Sequence, residues 1–141
     1  PGVADPGADI VKLAHQKNIK VVPLVGPSSI LMAIMSSGMN GQSFTFNGYL
    51  PINKDERKSE IKRLERLSFE HNQSQIFIET PYRNNKMIED LSTVLENNTD
   101  IYVACDITLS TEFIKTQTAN AWKKNKVDLH KRPTIFIIHK S

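Results

Sequence analysis

Short runs rich in β-branched and aromatic residues recur along this chain, each separated from the next by a stretch with helical spacing. That alternation restricts the fold to the α/β class, a parallel or mixed sheet covered by helices. The apolar runs fall at 19–24, 44–51, 75–79, 101–105 and 133–139, with the helical patterns between them. No internal repeat breaks the order.

The helical stretches carry their own punctuation. Asp5-Pro6 offers an N-cap and a first-turn proline for a helix over about 6–16, with Ile10, Leu13 and Ala14 at helical spacing and Asn18 at its end. Ile30, Leu31, Ile34 and Met35 mark a second helix over about 29–37, closed by Gly38 where a C′ glycine belongs. Asn53 followed by Glu56 makes a capping-box-like start to a charged helix whose narrow apolar stripe is Ile61, Leu64 and Leu67. The mixed signs on that helix read as a solvated face laced with i,i+4 pairs, with an RNA-facing basic edge as the alternative. Met87, Ile88, Leu91, Val94 and Leu95 mark the next helix and 119–124 a short one, while 112–118 fits strand or loop equally. The polar stretch 40–43 has turn chemistry and divides the chain into two units, 1–41 and 42–141.

At 141 residues the chain is long enough to build a core without staples, and 39% hydrophobic with 23% charged residues is the balance of an ordinary globular protein. The net charge of +3 permits a polyanionic partner without requiring one. A lone Cys105 excludes an internal disulfide, and His15, His71, His130 and His139 lack the spacing of a metal site. We therefore expect no metal and a reducing, cytoplasmic setting. No apolar run approaches the roughly 20 residues that cross a bilayer, so no membrane association is expected. The opening Pro1-Gly2-Val3-Ala4-Asp5 has turn character with no Met and no strand ahead of it, which predicts a fragment missing its N-terminal part.

In open α/β sheets ligands bind outside the carboxyl ends of strands. Here those positions hold Gly26-Pro27-Ser28-Ser29, Glu79-Thr80-Pro81-Tyr82-Arg83 and Asp106-Ile107-Thr108, all polar or rich in Gly and Pro. Ser28 or Ser29 can be a simple N-cap, and the same helix start can hold a carboxylate or phosphate on its free N–H groups. In the second segment Glu79 and Arg83 can form a surface pair of little energetic weight. As a site, it offers Arg83 for an anion and Tyr82 for stacking.

Taken together, these stretches resemble a known family. The run GVADPGADIVKLAHQKNIKVVPLVGPSSILMAIMSSG is similar to the end of the N-terminal domain of the tetrapyrrole methylase family, the class III S-adenosylmethionine-dependent methyltransferases. The resemblance is strongest to the branch that methylates a ribose 2′-hydroxyl of small-subunit ribosomal RNA. It continues through Phe46-Asn47-Gly48-Tyr49-Leu50-Pro51, Glu79-Thr80-Pro81-Tyr82-Arg83 and Pro133-Thr134-Ile135-Phe136, and so covers essentially the whole chain.

The resemblance implies two α/β domains with S-adenosylmethionine in the cleft between them, and a homodimer. Residues 1–41 would then be the end of an N-terminal parallel-sheet domain, and 42–141 a C-terminal α/β domain with a mixed sheet. It implies that Pro1, Gly2, Val3 and Asp5 lie along the donor, that Ser28 and Ser29 contact its methionyl part, and that Glu79 walls the cleft. Ala104, Pro133 and Thr134 match positions whose backbone groups hold adenine and ribose. The chain departs from the branch at Tyr82, where the branch has histidine, and over 105–112, where it has an R-E-L-T-K pattern. Both departures fall with Arg83 in the substrate half and leave donor binding untouched; ribosomal RNA is the first acceptor expected, which a basic rim from Lys54 to Arg66 favours, and a tetrapyrrole, which a deep apolar cavity would favour, the second. The reading from another class is a non-catalytic α/β binding or dimerisation module.

Overall fold

The computed structural model describes residues 2–141, and Pro1 lies outside the described residues. The apolar runs after residue 43 assemble into one five-stranded sheet. Its strands are β1 (Phe44–Tyr49), β2 (Ser74–Ile78), β3 (Asp100–Cys105), β4 (Phe113–Thr118) and β5 (Thr134–His139), in the order β1-β2-β5-β3-β4. β1 and β2 run parallel and every other pairing is antiparallel, so the sheet is mixed as expected.

The last strand in sequence lies in the middle of the sheet. Phe136 pairs with Phe77 on one side and Val103 on the other, and its ring stacks on Phe77 at 5.9 Å between centroids. Because side chains alternate along a strand, the central strands serve two cores at once. Phe77, Val103, Phe136 and Ile138 meet α3 (Lys54–His71), α4 (Asn84–Val94) and α5 (Ala119–Lys124) on one face. Ile76, Tyr102, Ala104, Ile135 and Ile137 meet Ala33 and Ile34 of α2 (Ser29–Ser37) on the other. Two polar bonds fasten α2 there: Ser36 Oγ to the Tyr102 hydroxyl at 2.5 Å, and Thr116 Oγ1 donating to the Ser37 carbonyl at 2.7 Å.

The charged helix is more deeply tied than its mixed signs predict. Arg57 is buried and its guanidinium pairs with Asp90 of α4 at 2.6 Å while donating to the Ile52 carbonyl at 3.1 Å. Glu65, also buried, accepts the Glu96 N–H at 2.8 Å and the Thr99 hydroxyl. Arg63–Glu60 and Arg66–Glu70 are the exposed i,i+3 and i,i+4 pairs that a solvated face should have. The ambiguous 112–118 stretch resolves as edge strand β4, whose exposed polar positions hid it.

Two expectations at the N-terminal end are corrected. The first helix, α1, spans Ala8–Gln16, with Gly7 rather than Asp5 at its N-cap. Asp5 instead folds back on its own turn, accepting the N–H groups of Gly2 at 3.2 Å and Gly7 at 2.9 Å. The apolar run 19–24 forms no strand, since no strand among the described residues runs beside it to complete a ladder. Its side chains remain in solvent, with Leu24 88% exposed, and no residue of α1 is buried.

The cap of α3 is the local signal that set its start. Asn53 Oδ1 accepts from the N–H groups of Asp55 at 3.0 Å and Glu56 at 3.2 Å. Replacing Asn53 by Ala should lower stability by about 1 kcal/mol in urea denaturation, and Asn53→Asp should retain most of it.

Candidate functional site

Two adjoining cavities open along one end of the sheet, sharing Ser29, Ile78 and Ile135. The first, ≈ 530 Å³, lies between the N-terminal segment and the sheet and is lined by Val3, Leu24, Gly26, Ser28 and Phe46 among others. The second, ≈ 430 Å³, lies against the carboxyl ends of β2 and β3 and the start of β5. Its apolar wall includes Ile107, Leu109 and Pro81, and its polar groups come from Tyr49, Glu79, Asp106 and Thr134. The ladder between β1 and β2 shifts after Phe46, where Gly48 takes a φ of 67°, and Tyr49 then lines the cavity.

The second cavity brings together Ser29, Glu79, Ala104, Pro133 and Thr134, four chain segments that the sequence reading placed in one site. Val3, Ser28 and Ser29 line the first. Ser28 also caps α2, its Oγ accepting from the Leu31 N–H at 3.5 Å, so the capping and cavity roles coexist. Gly2 and Asp5 sit in the adjoining turn, outside both linings. Tyr82 stands outside too, 69% exposed, with His130 at its edge and Lys131 Nζ 5.7 Å from its ring centre. Other cavities of ≈ 370 Å³ beside Trp122 and ≈ 490 Å³ between α3 and α4 hold none of the expected residues.

Each carboxylate in the second cavity has its own guanidinium. Glu79 Oε1 accepts the Thr80 N–H at 2.6 Å and Arg83 Nη2 at 2.9 Å, so Arg83 is engaged within the chain. Glu79 Oε2 and Arg83 Nε are buried with no hydrogen-bond partner. Asp106 Oδ2 accepts Arg132 Nε at 2.8 Å and the Thr111 hydroxyl at 2.9 Å. Arg132 also reaches the carbonyls of Thr111 at 2.6 Å and Asp128 at 2.9 Å, which knits the loops after β3 and before β5 together. Pro133 accepts the Asp106 N–H at 2.9 Å and continues that seam.

Asp106 and Tyr49 line this cavity, yet the sequence reading named them only within a strand-end stretch and a family segment and gave neither a role, and Arg132, which holds Asp106, it did not name. The available signal was position, since Asp106 directly follows an apolar strand. The Arg132 bond holds the Asp106 carboxyl below the usual carboxylate range, with the Thr111 hydroxyl adding to it. Burial pushes the neighbouring Cys105 thiol up, which makes it a neutral core group rather than a nucleophile.

No family model matches the chain. It is 32% identical over 115 residues to ribosomal RNA small subunit methyltransferase I of Vibrio cholerae, matching 82% of this chain and 38% of that protein. The protein of the same name from Buchnera aphidicola is 31% identical over 141 residues, matching 98% of this chain and 48% of its own length. The chain thus spans about half or less of the length of these curated relatives. Among solved structures, the methyltransferase CobJ superposes with a TM-score of 0.64 at 16% identity, over 100% of this chain and 61% of CobJ. Uroporphyrin-III C-methyltransferase from Thermus thermophilus, complexed with S-adenosylhomocysteine, gives 0.52 at 13% identity, over 99% and 62%.

The architecture is therefore the α/β fold of these methyltransferase structures. With the sequence relatives added, the chain belongs to the tetrapyrrole methylase family.

The Asp106–Arg132 pair predicts an acid-side dependence of stability. A carboxylate whose folded value lies below its unfolded value contributes stability above about pH 4, and that contribution is lost as pH falls through the folded value. Thermal unfolding followed from pH 6 downward should show the midpoint falling, and Arg132→Leu should flatten the part of that fall owed to Asp106.

Proposed function

We propose that this chain is the C-terminal part of an S-adenosylmethionine-dependent methyltransferase that acts on a ribose of small-subunit ribosomal RNA. The observation that carries this reading is the assembly of Ser29, Glu79, Ala104, Pro133 and Thr134 around one cavity at the strand ends, in a chain whose relatives are ribosomal RNA methyltransferases.

The residues present suit a nucleoside-bearing donor. The cavity has apolar walls for a ring system, backbone groups at Ala104 and Pro133, and the Thr134 hydroxyl. Val3, Ser28 and Ser29 line the adjoining space, and Gly2 and Asp5 belong to the turn that leads into it; Pro1, assigned to the donor with them, lies outside the described residues. When bound, the donor supplies a methyl group made electrophilic by an adjacent sulfonium. The chain's own contribution is alignment of donor and acceptor in a site from which water is excluded. In this reading Tyr82 and Arg83, outside both cavity linings, serve the acceptor side. An exposed tyrosine with Lys131 over its ring suits stacking on an unpaired base.

In this reading residues 1–41 close an N-terminal domain and 42–141 form the C-terminal one. The exposure of Ile10, Val22, Leu24 and Met35 supports it, since these large apolar side chains are left free to pack against further structure. No helix among the described residues is long and apolar enough to cross a membrane. The whole protein is read as a cytoplasmic homodimer.

The test is calorimetric titration of S-adenosylhomocysteine into the full-length parent and into this chain. Binding by the parent and at least tenfold weaker binding here is the expected result, and no binding by the parent defeats the reading. Methylation of small-subunit RNA by the parent should weaken steeply between about 50 and 200 mM salt, because phosphate contacts release counterions. Turnover of a tetrapyrrole in place of RNA would assign the macrocycle as acceptor.

A further inference from the structure

The charged helix α3 carries six Lys and Arg residues, whose pattern alone fits a solvated face or an RNA-facing edge. The structure separates them into two sets. Arg57 is buried against Asp90, Arg63 pairs with Glu60 at 2.6 Å and Arg66 with Glu70 at 3.8 Å. Lys54, Lys58 and Lys62 are exposed and have no carboxylate partner among the described residues. They recur at every fourth position, which at a rise of 1.5 Å per residue sets them about 6 Å apart along one flank of the helix.

That flank faces a groove. With Lys86 of α4 the three lysines line the ≈ 490 Å³ space between the two helices. Two carboxylates share it and both are engaged: Asp90 by Arg57 at 2.6 Å and Lys86 at 3.1 Å, and Glu89 by Lys86 at 3.2 Å. Lys54, Lys58 and Lys62 therefore give the groove an excess of positive charge, in a concave setting that focuses its field. The groove also begins at the candidate site. β1 and β2 run parallel and each is followed by one of these helices, so α3 and α4 both start from the carboxyl ends of their strands. Tyr49 and Pro81 line the second cavity, and Lys54 and Lys86 each come five residues after them. Exposed Tyr82, with Lys131 against its ring, lies between Pro81 and Lys86 in the chain.

We infer that the groove between α3 and α4 carries the sugar–phosphate backbone of the RNA strand that is methylated, with Lys54, Lys58 and Lys62 each meeting one phosphate. Successive phosphates of a single RNA strand repeat at close to the lysine spacing, so one helix flank can follow the strand over several nucleotides. Lysine suits this task, because a flexible point charge with three donors neutralises phosphate without reading a base. An acidic protein surface is also drawn to positive charge, but its carboxylates have no fixed repeat, and the regular spacing of the lysines favours the phosphate backbone. The inference rests on the RNA methyltransferase reading and adds the path along which the strand reaches the cavity.

The experiment uses the full-length parent and its triple variant Lys54→Gln, Lys58→Gln, Lys62→Gln, with small-subunit ribosomal RNA and S-adenosylhomocysteine as probes. A second triple variant, with Lys→Arg at the same positions, keeps the charge. The glutamine variant should bind RNA roughly ten- to hundredfold more weakly at about 100 mM salt, with a log–log salt slope shallower by about 2 to 3, since each lost phosphate contact removes about 0.7 to 0.9. KM for the RNA should rise with it, while kcat and S-adenosylhomocysteine affinity stay within about twofold. The arginine variant should keep the wild-type slope. An RNA affinity and salt slope unchanged in the glutamine variant overturn the inference. A loss that the arginine variant shares marks a disturbed helix and overturns it too. So does a loss seen only on assembled small subunits, with naked RNA bound normally, which assigns the groove to an acidic protein surface. A wild-type parent that neither binds S-adenosylhomocysteine nor methylates RNA defeats the underlying reading instead.

Discussion

The insertion of β5 between β2 and β3 is the contact on which the rest of the molecule depends. It joins a parallel pair formed early in the chain to an antiparallel hairpin-like pair formed later, and it does so with a strand whose first five residues are buried. Through alternation, Phe136 and Ile138 complete the core under α3 and α4, while Ile135 and Ile137 complete the one under α2. Removing that strand would leave two separate pairs, neither with a full hydrophobic face. An isolated strand pair of this kind is marginal in water at best.

The same insertion creates the site. Because β5 runs opposite to β2 and β3, its starting residues Pro133 and Thr134 arrive beside the ends of the other two, next to Glu79 and Ala104. A loop entering a strand thus meets two loops leaving strands. The Arg132–Asp106 bond closes one side of this junction and Arg83–Glu79 the other. Polar groups that are costly to bury singly become tolerable as near-neutral pairs, and each keeps acceptor capacity that the chain does not use.

Much of the site was readable because strand ends are readable. An apolar run that stops at Glu79 or at Cys105 announces both a strand and the loop after it, the Gly26–Ser29 turn pointed to Ser29, and the resemblance supplied Pro133 and Thr134. Asp106 was visible only as a position, since its importance comes from Arg132, a residue 26 further along the chain. Edge strand β4 was equally hard to read, because an edge needs no apolar pattern on its outer positions. The run 19–24 failed in the opposite sense: its composition favours a strand, but a strand exists only where a neighbour supplies the other half of the ladder.

By itself the sequence determined the local elements, through the Asn53 cap, the Gly38 turn at φ 72°, the buried runs of β2, β3 and β5, and the alternating order that makes an α/β protein. Those signals act over a few residues, where backbone sterics, capping bonds and side-chain period decide the outcome. Only the tertiary structure decided which strand occupies the centre, which carboxylate meets which guanidinium, and where acceptor oxygens are left over. Those outcomes depend on burial and on partners separated by tens of residues, and no short window of sequence contains both halves of such a contact.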